Sequence, residues 1–336
     1  MTILPTKFRD ADTGVVVIGR NEGLRLQRCL ESLSTQIQPV VYVDSGSSDD
    51  SVEQAQKRGC HVLNLDTAKP FTAGRARNEG LSHLLRSYPK LEYVQFVDGD
   101  CELQAGWLTA ARTYLVEHPR CAIVCGRRRE RYPKWSVYNR LCDMEWDTPI
   151  GDAASCGGDF LARVTALRNV AGFDPKVIAG EEPEMCFRLR RMNWAIARIE
   201  AEMTLHDAAM ARFSQFWQRA RRSGHAYVQL AVMHCGEPGR FQQREVASIL
   251  FWTLVPPLGA LLAGTLAAPA ALLPLCAYPL LWVKILCGRL RAGSAMASAA
   301  IYATFIPIGK FAQCVGVTDF LRRKVAQQQF QIIEYK

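Results

Sequence analysis

The sequence predicts an α/β domain, a mostly parallel sheet flanked by helices, followed by a C-terminal membrane helical region. Two patterns predict it. Up to residue 245, short β-branched runs alternate with amphipathic helical stretches, which implies a parallel sheet with right-handed crossovers. Beyond that point, the run from Ile249 to Cys287 carries Lys284 as its only charge. The expected division is therefore 1–245 as one α/β domain and 246–290 as a transmembrane helical hairpin. Residues 291–336 are expected to form an interfacial or third membrane helix and a cytosolic tail.

The elements follow in order. Val15-Val16-Val17-Ile18 reads as a short buried strand, followed by Gly19-Arg20-Asn21-Glu22 and a helix with Leu26, Leu30 and Leu33 on one face. Val40-Val41-Tyr42-Val43 is the second strand, ending in Asp44-Ser45-Gly46-Ser47-Ser48-Asp49. Asp49 is placed to cap the next helix, which stops at Gly59. Val62-Leu63-Asn64-Leu65 follows, then a helix from near Gly74 to Ser87, then Tyr93-Val94-Gln95-Phe96-Val97, which ends at Asp98. In such sheets ligands sit beyond the C-terminal strand ends, where Arg20, Asp44 and Asp98 all fall.

A membrane span needs about 20 apolar residues, so the uncharged run has room for two, with a break around Ala267-Ala268-Pro269. Arg240 and Arg244 flank one side and Lys284, Arg289 and Arg291 the other. Basic residues at both ends place both ends in the cytoplasm, so the expected location is the inner membrane with the α/β domain facing the cytoplasm. The alternative is a buried helical pair in a soluble protein, but a chain of 336 residues has little surface to cover so long a run. The stretch from Ala295 to Phe320 contains Pro307, Lys310 and Asp319 and is followed by Arg322-Arg323-Lys324, which suits an interfacial or a third membrane helix.

A hydrophobic share of 49% excludes a disordered chain, and a net charge of +9 points to phosphates or an anionic membrane surface. The twelve cysteines are scattered without a Cys-x-x-Cys pair, and no cleavable N-terminal signal is visible, so they read as reduced, core-filling residues. Neither Gly-x-Gly-x-x-Gly nor a phosphate-loop Gly-Lys-Ser/Thr occurs, which argues against dinucleotide and ATP sites.

The chemistry-bearing feature is Asp98-Gly99-Asp100 at the end of an apolar strand. Two carboxylates one residue apart can hold a divalent cation through hard oxygen ligands, although acidic turns after strands are common. Here the tripeptide is followed by Gly180-Glu181-Glu182-Pro183-Glu184 and then by His206-Asp207. In Gly74-Arg75-Ala76-Arg77-Asn78-Glu79-Gly80, the glycines permit close backbone approach and the arginines can pair with phosphate; a solvated basic helix face is the alternative.

Taken together, Val15 to Glu22, Val43 to Ser51, Ala73 to Gly80, Val97 to Cys101, Cys156 to Asp159 and Gly180 to Arg190 resemble a membrane-associated family 2 glycosyltransferase of the GT-A fold. The resemblance covers residues 13 to 210 and implies a nucleoside-diphosphate-sugar donor, UDP favoured over GDP, with a single sugar moved to an acceptor hydroxyl and inversion at the anomeric carbon. It implies Mn²⁺ or Mg²⁺ held by Asp100, Asp98 and His206, although His206 can equally be structural. It places Arg20, Glu22, Asp44, Arg75, Arg77, Asn78, Asp98, Gly158 and Asp159 around the nucleotide sugar. Asp44 can also be a turn aspartate, and Asp159 can cap the segment after it.

By register with the family's Glu-Asp pattern, Glu182 is the expected base, with Glu181 in reserve; both can instead complement a helix dipole. Glu stands at 182 where the family usually has Asp. Processive members carry Gln-x-x-Arg-Trp; here Gln218 to Arg222 gives Gln-x-x-Arg-Arg, which favours single transfer over polymer synthesis. Arg221 and Arg222 are then expected to contact phosphate or acceptor, or else anionic lipid. The expected partners are the donor, a lipid-linked or membrane-proximal acceptor and membrane lipids, without nucleic acid. A non-catalytic membrane scaffold on a degenerate fold remains the alternative. A sugar-phosphate nucleotidyltransferase lacks support, because Val15 to Glu22 supplies no glycine-rich basic loop.

Overall fold

The computed structural model describes residues 12–34, 37–69, 72–266, 269 and 272–328. It divides into two units. The first comprises Met1–Arg131, Trp146–Lys176 and Glu181–Ala208; the second takes in Tyr132–Glu145, Val177–Gly180 and Ala209–Lys336. The membrane-helix unit therefore gathers segments from within the expected 1–245 domain.

The first unit opens with β1 (Thr13–Gly19), α1 (Leu24–Ser34), β2 (Val40–Asp44), α2 (Ser51–Lys57), β3 (His61–Asn64), α3 (Ala73–Ser87) and β4 (Tyr93–Asp98). β1 pairs in parallel with both β2 and β4, and β2 with β3, as the alternating pattern predicts. Leu26, Leu30 and Leu33 are buried on one face of α1. At the start of α2 the cap differs from expectation. Asp50 holds the capping position without a side-chain bond to the helix's backbone N–H groups, while Asp49 accepts from the N–H of Ser51 at 3.0 Å and of Gly23 at 3.1 Å. Asp49 therefore ties the β1–α1 turn to α2. Gly80 lets α3 lie close on the sheet, since a Cβ there would sit 2.5 Å from Val16 Cγ1.

β5 (Cys101–Leu103), α4 (Trp107–Glu117) and β6 (Cys121–Glu130) continue the chain, and α5 (Val137–Glu145) belongs to the second unit. β7 (Gly151–Asp152), β8 (Phe160–Arg163), α6 (Val164–Asn169), α7 (Glu181–Arg191) and β9 (Ala195–His206) complete the first unit. The sheet order is β3-β2-β1-β4-β8-β6-β9-β5, with β7 against β9. β8 runs antiparallel to β4 and β6, and β5 and β7 antiparallel to β9, so the sheet is mixed where the sequence pattern suggested mostly parallel. Only the first half follows the strand–helix alternation on which that expectation rested. The core includes Val15, Phe96, Trp107 and Phe160; Trp107 donates its indole N–H to Gln95 Oε1 at 2.9 Å, satisfying both buried polar groups.

The second unit adds α8 (Phe213–Met233), α9 (Gln243–Leu266), α10 (Leu272–Leu275), α11 (Ala277–Arg291) and α12 (Met296–Val325). Three helical stretches, Gln243–Thr265, Leu272–Arg291 and Met296–Val325, are long and apolar enough to cross a membrane. Leu261, Leu273 and Leu280 are about two-thirds exposed or more, an apolar outer face that lipid would cover. The break expected at Ala267-Ala268 lies outside the described residues. α12 crosses α8 with backbones in contact: a Cβ on Gly224 would meet Gln313 O at 2.0 Å, and one on Gly316 would meet Arg221 O at 2.0 Å. Arg221 Nε donates to Asp319 Oδ2 at 2.7 Å across the same crossing.

Candidate active site

The site forms where β4 ends and β5 and β9 meet. The Gly99 N–H donates to Ile18 O at 2.8 Å, fixing the Asp98-Gly99-Asp100 turn against the end of β1. β5 pairs with the end of β9 so that Cys101 faces His206, and the Asp207 N–H donates to Asp100 O at 3.1 Å. These pairings bring Asp100 Oδ2 to 3.2 Å from His206 Nε2, both residues buried. β6, parallel to β9, sets Glu130 opposite His206, with Oε2 3.9 Å from Nδ1. Trp146 meets the imidazole edge-on at 4.5 Å between centroids. Burial, reinforced by the Arg128 charge, holds the His206 pKa down to about 4, so the ring is neutral at physiological pH.

That neutrality tests whether the residues fit a cation. One ring nitrogen of a neutral imidazole carries the proton and the other a lone pair. Nε2 faces the carboxylate of Asp100, and Nδ1 is buried without a hydrogen-bond partner. A proton on Nε2 leaves Nδ1 as an unmatched acceptor; a proton on Nδ1 sets the Nε2 lone pair against a carboxylate oxygen. A cation beside Asp100 and Nε2 resolves the second arrangement, so oxygen and imidazole donors fit Mn²⁺ or Mg²⁺. Ligand atoms of Asp100, Cys101 and His206 all lie within 4.8 Å of one another.

Asp98 is held from three sides. Arg77 bridges it to the helix start, with Nη2 2.6 Å from Asp98 Oδ1 and Nη1 2.8 Å from Glu181 Oε1. Gly158 packs directly against it: a Cβ there would stand 2.3 Å from Asp98 Oδ2 and 2.9 Å from Arg77 Nη2. Asp159, fully buried, accepts from the Asp98 N–H at 2.9 Å and from Thr204 Oγ1 at 2.9 Å, and forms an ion pair with Arg128, whose Nη2 lies 2.9 Å from Oδ2. Those bonds occupy both oxygens, so Asp159 positions Asp98, where the sequence suggested contact with a sugar hydroxyl or a local cap.

Glu181 and Glu182 begin α7 and point apart. Glu181 goes to Arg77. Glu182 is buried; its Oε1 accepts from the Cys156 N–H at 2.7 Å and from the thiols of Cys156 at 3.0 Å and Cys186 at 2.8 Å. Its Oε2 accepts from the Gly157 N–H at 3.0 Å. Burial raises the Glu182 pKa above the ordinary carboxylate value, and the thiol and backbone donors offset only part of that.

Other expected site residues are differently employed. Asp44 ends β2 as expected, but its oxygens accept from Tyr42 OH and from the Gly46 and Ser47 N–H groups, bracing the turn. Asn78 clasps Phe173 through both its backbone N–H and C=O, and Arg75 donates to the carbonyls of Asp66 and Lys69; both shape loops. Glu22 pairs with Arg25 at 2.8 Å, and Arg20 is exposed after β1. Arg221 and Arg222 lie on α8 in the second unit, where Asp319 engages Arg221. Sequence reasoning missed Arg128, Glu130 and Trp146. Arg128 and Glu130 stand two apart on β6, a same-face spacing visible inside the basic run Arg127-Arg128-Arg129-Glu130-Arg131.

Residues 14–160 match the Glycosyl transferase family 2 model. Pre-mycofactocin glycosyltransferases of Mycobacterium tuberculosis are 25% identical over 236 residues, 66% of this chain and 48% of theirs, so the chain spans about half the length of these relatives. A mannosyltransferase from Pyrobaculum calidifontis, solved with GDP-Man and Mn²⁺, shares 18% identity at a TM-score of 0.59, covering 93% of this chain and 88% of that one. Glucosyl-3-phosphoglycerate synthase from Mycobacterium tuberculosis, solved with Mn²⁺, UDP-Glc and phosphoglyceric acid, shares 18% at a TM-score of 0.50, covering 68% and 81%. At that identity the structural likeness speaks for the fold, which is of the GT-A type.

Proposed function

We propose that this chain, whose residues 14–160 match the Glycosyl transferase family 2 model, is an inverting transferase that moves one sugar from a nucleoside diphosphate to an acceptor hydroxyl at the membrane. A UDP-sugar is the favoured donor, with a GDP-sugar second. The observation that carries the reading is the convergence of Asp98, Asp100, His206, Arg77, Gly158 and the Glu181-Glu182 pair within the first unit.

Asp100 and His206, with help from Asp98, would hold Mn²⁺ or Mg²⁺, whose charge offsets that of the departing diphosphate. Arg77 keeps Asp98 oriented. Glu182 takes the acceptor proton as the acceptor oxygen bonds to the anomeric carbon and the bond to the diphosphate breaks. Three donors crowd Oε1, whereas Oε2 carries one and keeps a lone pair beside Gly157-Gly158. Glu181 is less suited, because Arg77 Nη1 already engages its Oε1 at 2.8 Å.

The apolar helices of the second unit support attachment to the inner membrane, with basic residues at both ends of the 246–290 hairpin in the cytoplasm. The C-terminal half of α12, fastened to the Arg-rich α8, is an interfacial element in this reading, and the acceptor is lipid-linked or membrane-proximal. The test is nucleotide release by detergent-solubilised protein with Mn²⁺ across UDP- and GDP-sugars. Release from one donor, absent in Asp100→Asn, is expected. Silence, joined to no metal-dependent nucleotide binding, would instead favour a non-catalytic scaffold.

A further inference from the structure

Glu182 is one carboxylate of a second cluster. Its Oε1 lies 3.0 Å from Cys156 Sγ and 2.8 Å from Cys186 Sγ, and ligand atoms of the three residues all fall within 4.8 Å of one another. Two segments far apart in sequence supply these atoms: the loop before β8 and the first two turns of α7.

The neighbouring acid Glu184 shows what is unusual about Glu182. Glu184 is equally buried and pairs with Arg188 at 2.7 Å. The bonds to Glu182 come from neutral donors, two backbone N–H groups and two thiols. A buried carboxylate is ordinarily matched by a cation or a metal. Thiolate sulfur with one carboxylate oxygen is a donor set for a soft, four-coordinate divalent ion and a poor one for Mn²⁺ or Mg²⁺. Cys156 is half-buried.

We propose that Cys156, Cys186 and Glu182 bind Zn²⁺, with solvent in the fourth position, and that the bound ion stops transfer by occupying the base. The inhibitory half rests on Glu182 being the base; the binding half does not. On binding, the thiols of Cys156 and Cys186 become thiolates and release two protons to solvent, so affinity rises with pH. The site is separate in chemistry from the Asp100–His206 site: sulfur-rich against oxygen and imidazole.

Co²⁺, a spectroscopic stand-in for Zn²⁺, tests the binding half without donor or acceptor. Chelator-stripped protein in a thiol-free reductant should bind Co²⁺ with a near-ultraviolet sulfur-to-metal charge-transfer band that Zn²⁺ displaces. The band should vanish in Cys156→Ser and in Cys186→Ser, with metal-free unfolding midpoints reporting that each variant is folded. It should persist in Cys101→Ser and Asp100→Asn, which alter only the other site. No band in the wild type, its survival in the Cys156→Ser/Cys186→Ser double variant, or its loss in Cys101→Ser would overturn the proposal. In parallel, Zn²⁺ added to the Mn²⁺-supported reaction should slow wild-type transfer at least tenfold. Cys186→Ser, compared with its own rate in Mn²⁺ alone, should resist. Equal inhibition of both proteins would refute the inhibitory half while the band stands.

Discussion

Gly158 has little freedom to change. A Cβ at that position would overlap Asp98 Oδ2 and press on Arg77, so Gly158→Ala should displace the carboxylate while leaving the sheet intact. A displacement of about 1 Å can cost about a hundredfold in rate, and that loss in kcat/KM is expected together with an unfolding midpoint close to wild type. For Glu182 the expected signature is in pH. Burial raises its pKa, and a base works only when ionised, so the acid limb of the rate profile should rise through a pKa above that of an ordinary glutamate. The same shift means the folded chain takes up a proton that the unfolded chain does not hold, so the Glu182 contribution to stability declines as pH rises through the native pKa. Glu182→Gln should abolish transfer yet bind donor, and a Glu181→Gln variant with the larger loss would move the base by one residue. The Asp98-Gly99-Asp100 turn and the acidic pair were legible in the sequence because each is local. What Asp159 does was not, since its bond to the Asp98 N–H spans 61 positions and depends on β4 and β8 lying side by side.

The α8–α12 crossing allows two further expectations. The carbonyls of Gln313 and Arg221 leave no space for side chains at Gly224 and Gly316, so Gly316→Ala should destabilise by about 1–3 kcal/mol, read as a lowered unfolding midpoint in detergent. His225, packed against Phe320 at 5.2 Å, has its pKa held down from 6.5 to about 4 by burial and then by Arg323 and Arg221, against the opposite pull of Asp319. The unfolded chain therefore binds the proton first. The contribution is complete above about pH 6.5 and is lost as pH falls through about 4, and hydrogen exchange in α8 should accelerate over that window. Helical spacing revealed α1 from Leu26, Leu30 and Leu33, since one buried stripe suffices to identify a helix. The antiparallel strands β5, β7 and β8 were hidden, being two to four residues long and without a period of their own.

Over the whole molecule, the change in charge density near residue 246 marked where the apolar helices begin, whereas the continuous stretch of the helical unit starts at Ala209 and includes α8. The recruitment of Tyr132–Glu145 into the helical unit was not visible in the sequence, because it depends on long-range packing such as Glu145 with Arg219 at 2.6 Å. The proposed orientation can be checked with the exposed thiol Cys235, which precedes α9. In sealed right-side-out vesicles of the Cys276→Ser protein a membrane-impermeant maleimide should not reach Cys235, and should label it once the vesicles are lysed. Labelling of Cys235 in the sealed vesicles would invert the topology. The most direct measurement on the transferase itself is calorimetric titration of UDP and of GDP into the solubilised protein, with and without Mn²⁺. One nucleotide should bind in the presence of Mn²⁺, lose that binding to a chelator, and bind Asp100→Asn at least tenfold more weakly. Binding of neither nucleotide, or binding indifferent to both the metal and Asp100, would contradict a metal-assisted sugar-nucleotide site at Asp98, Asp100 and His206.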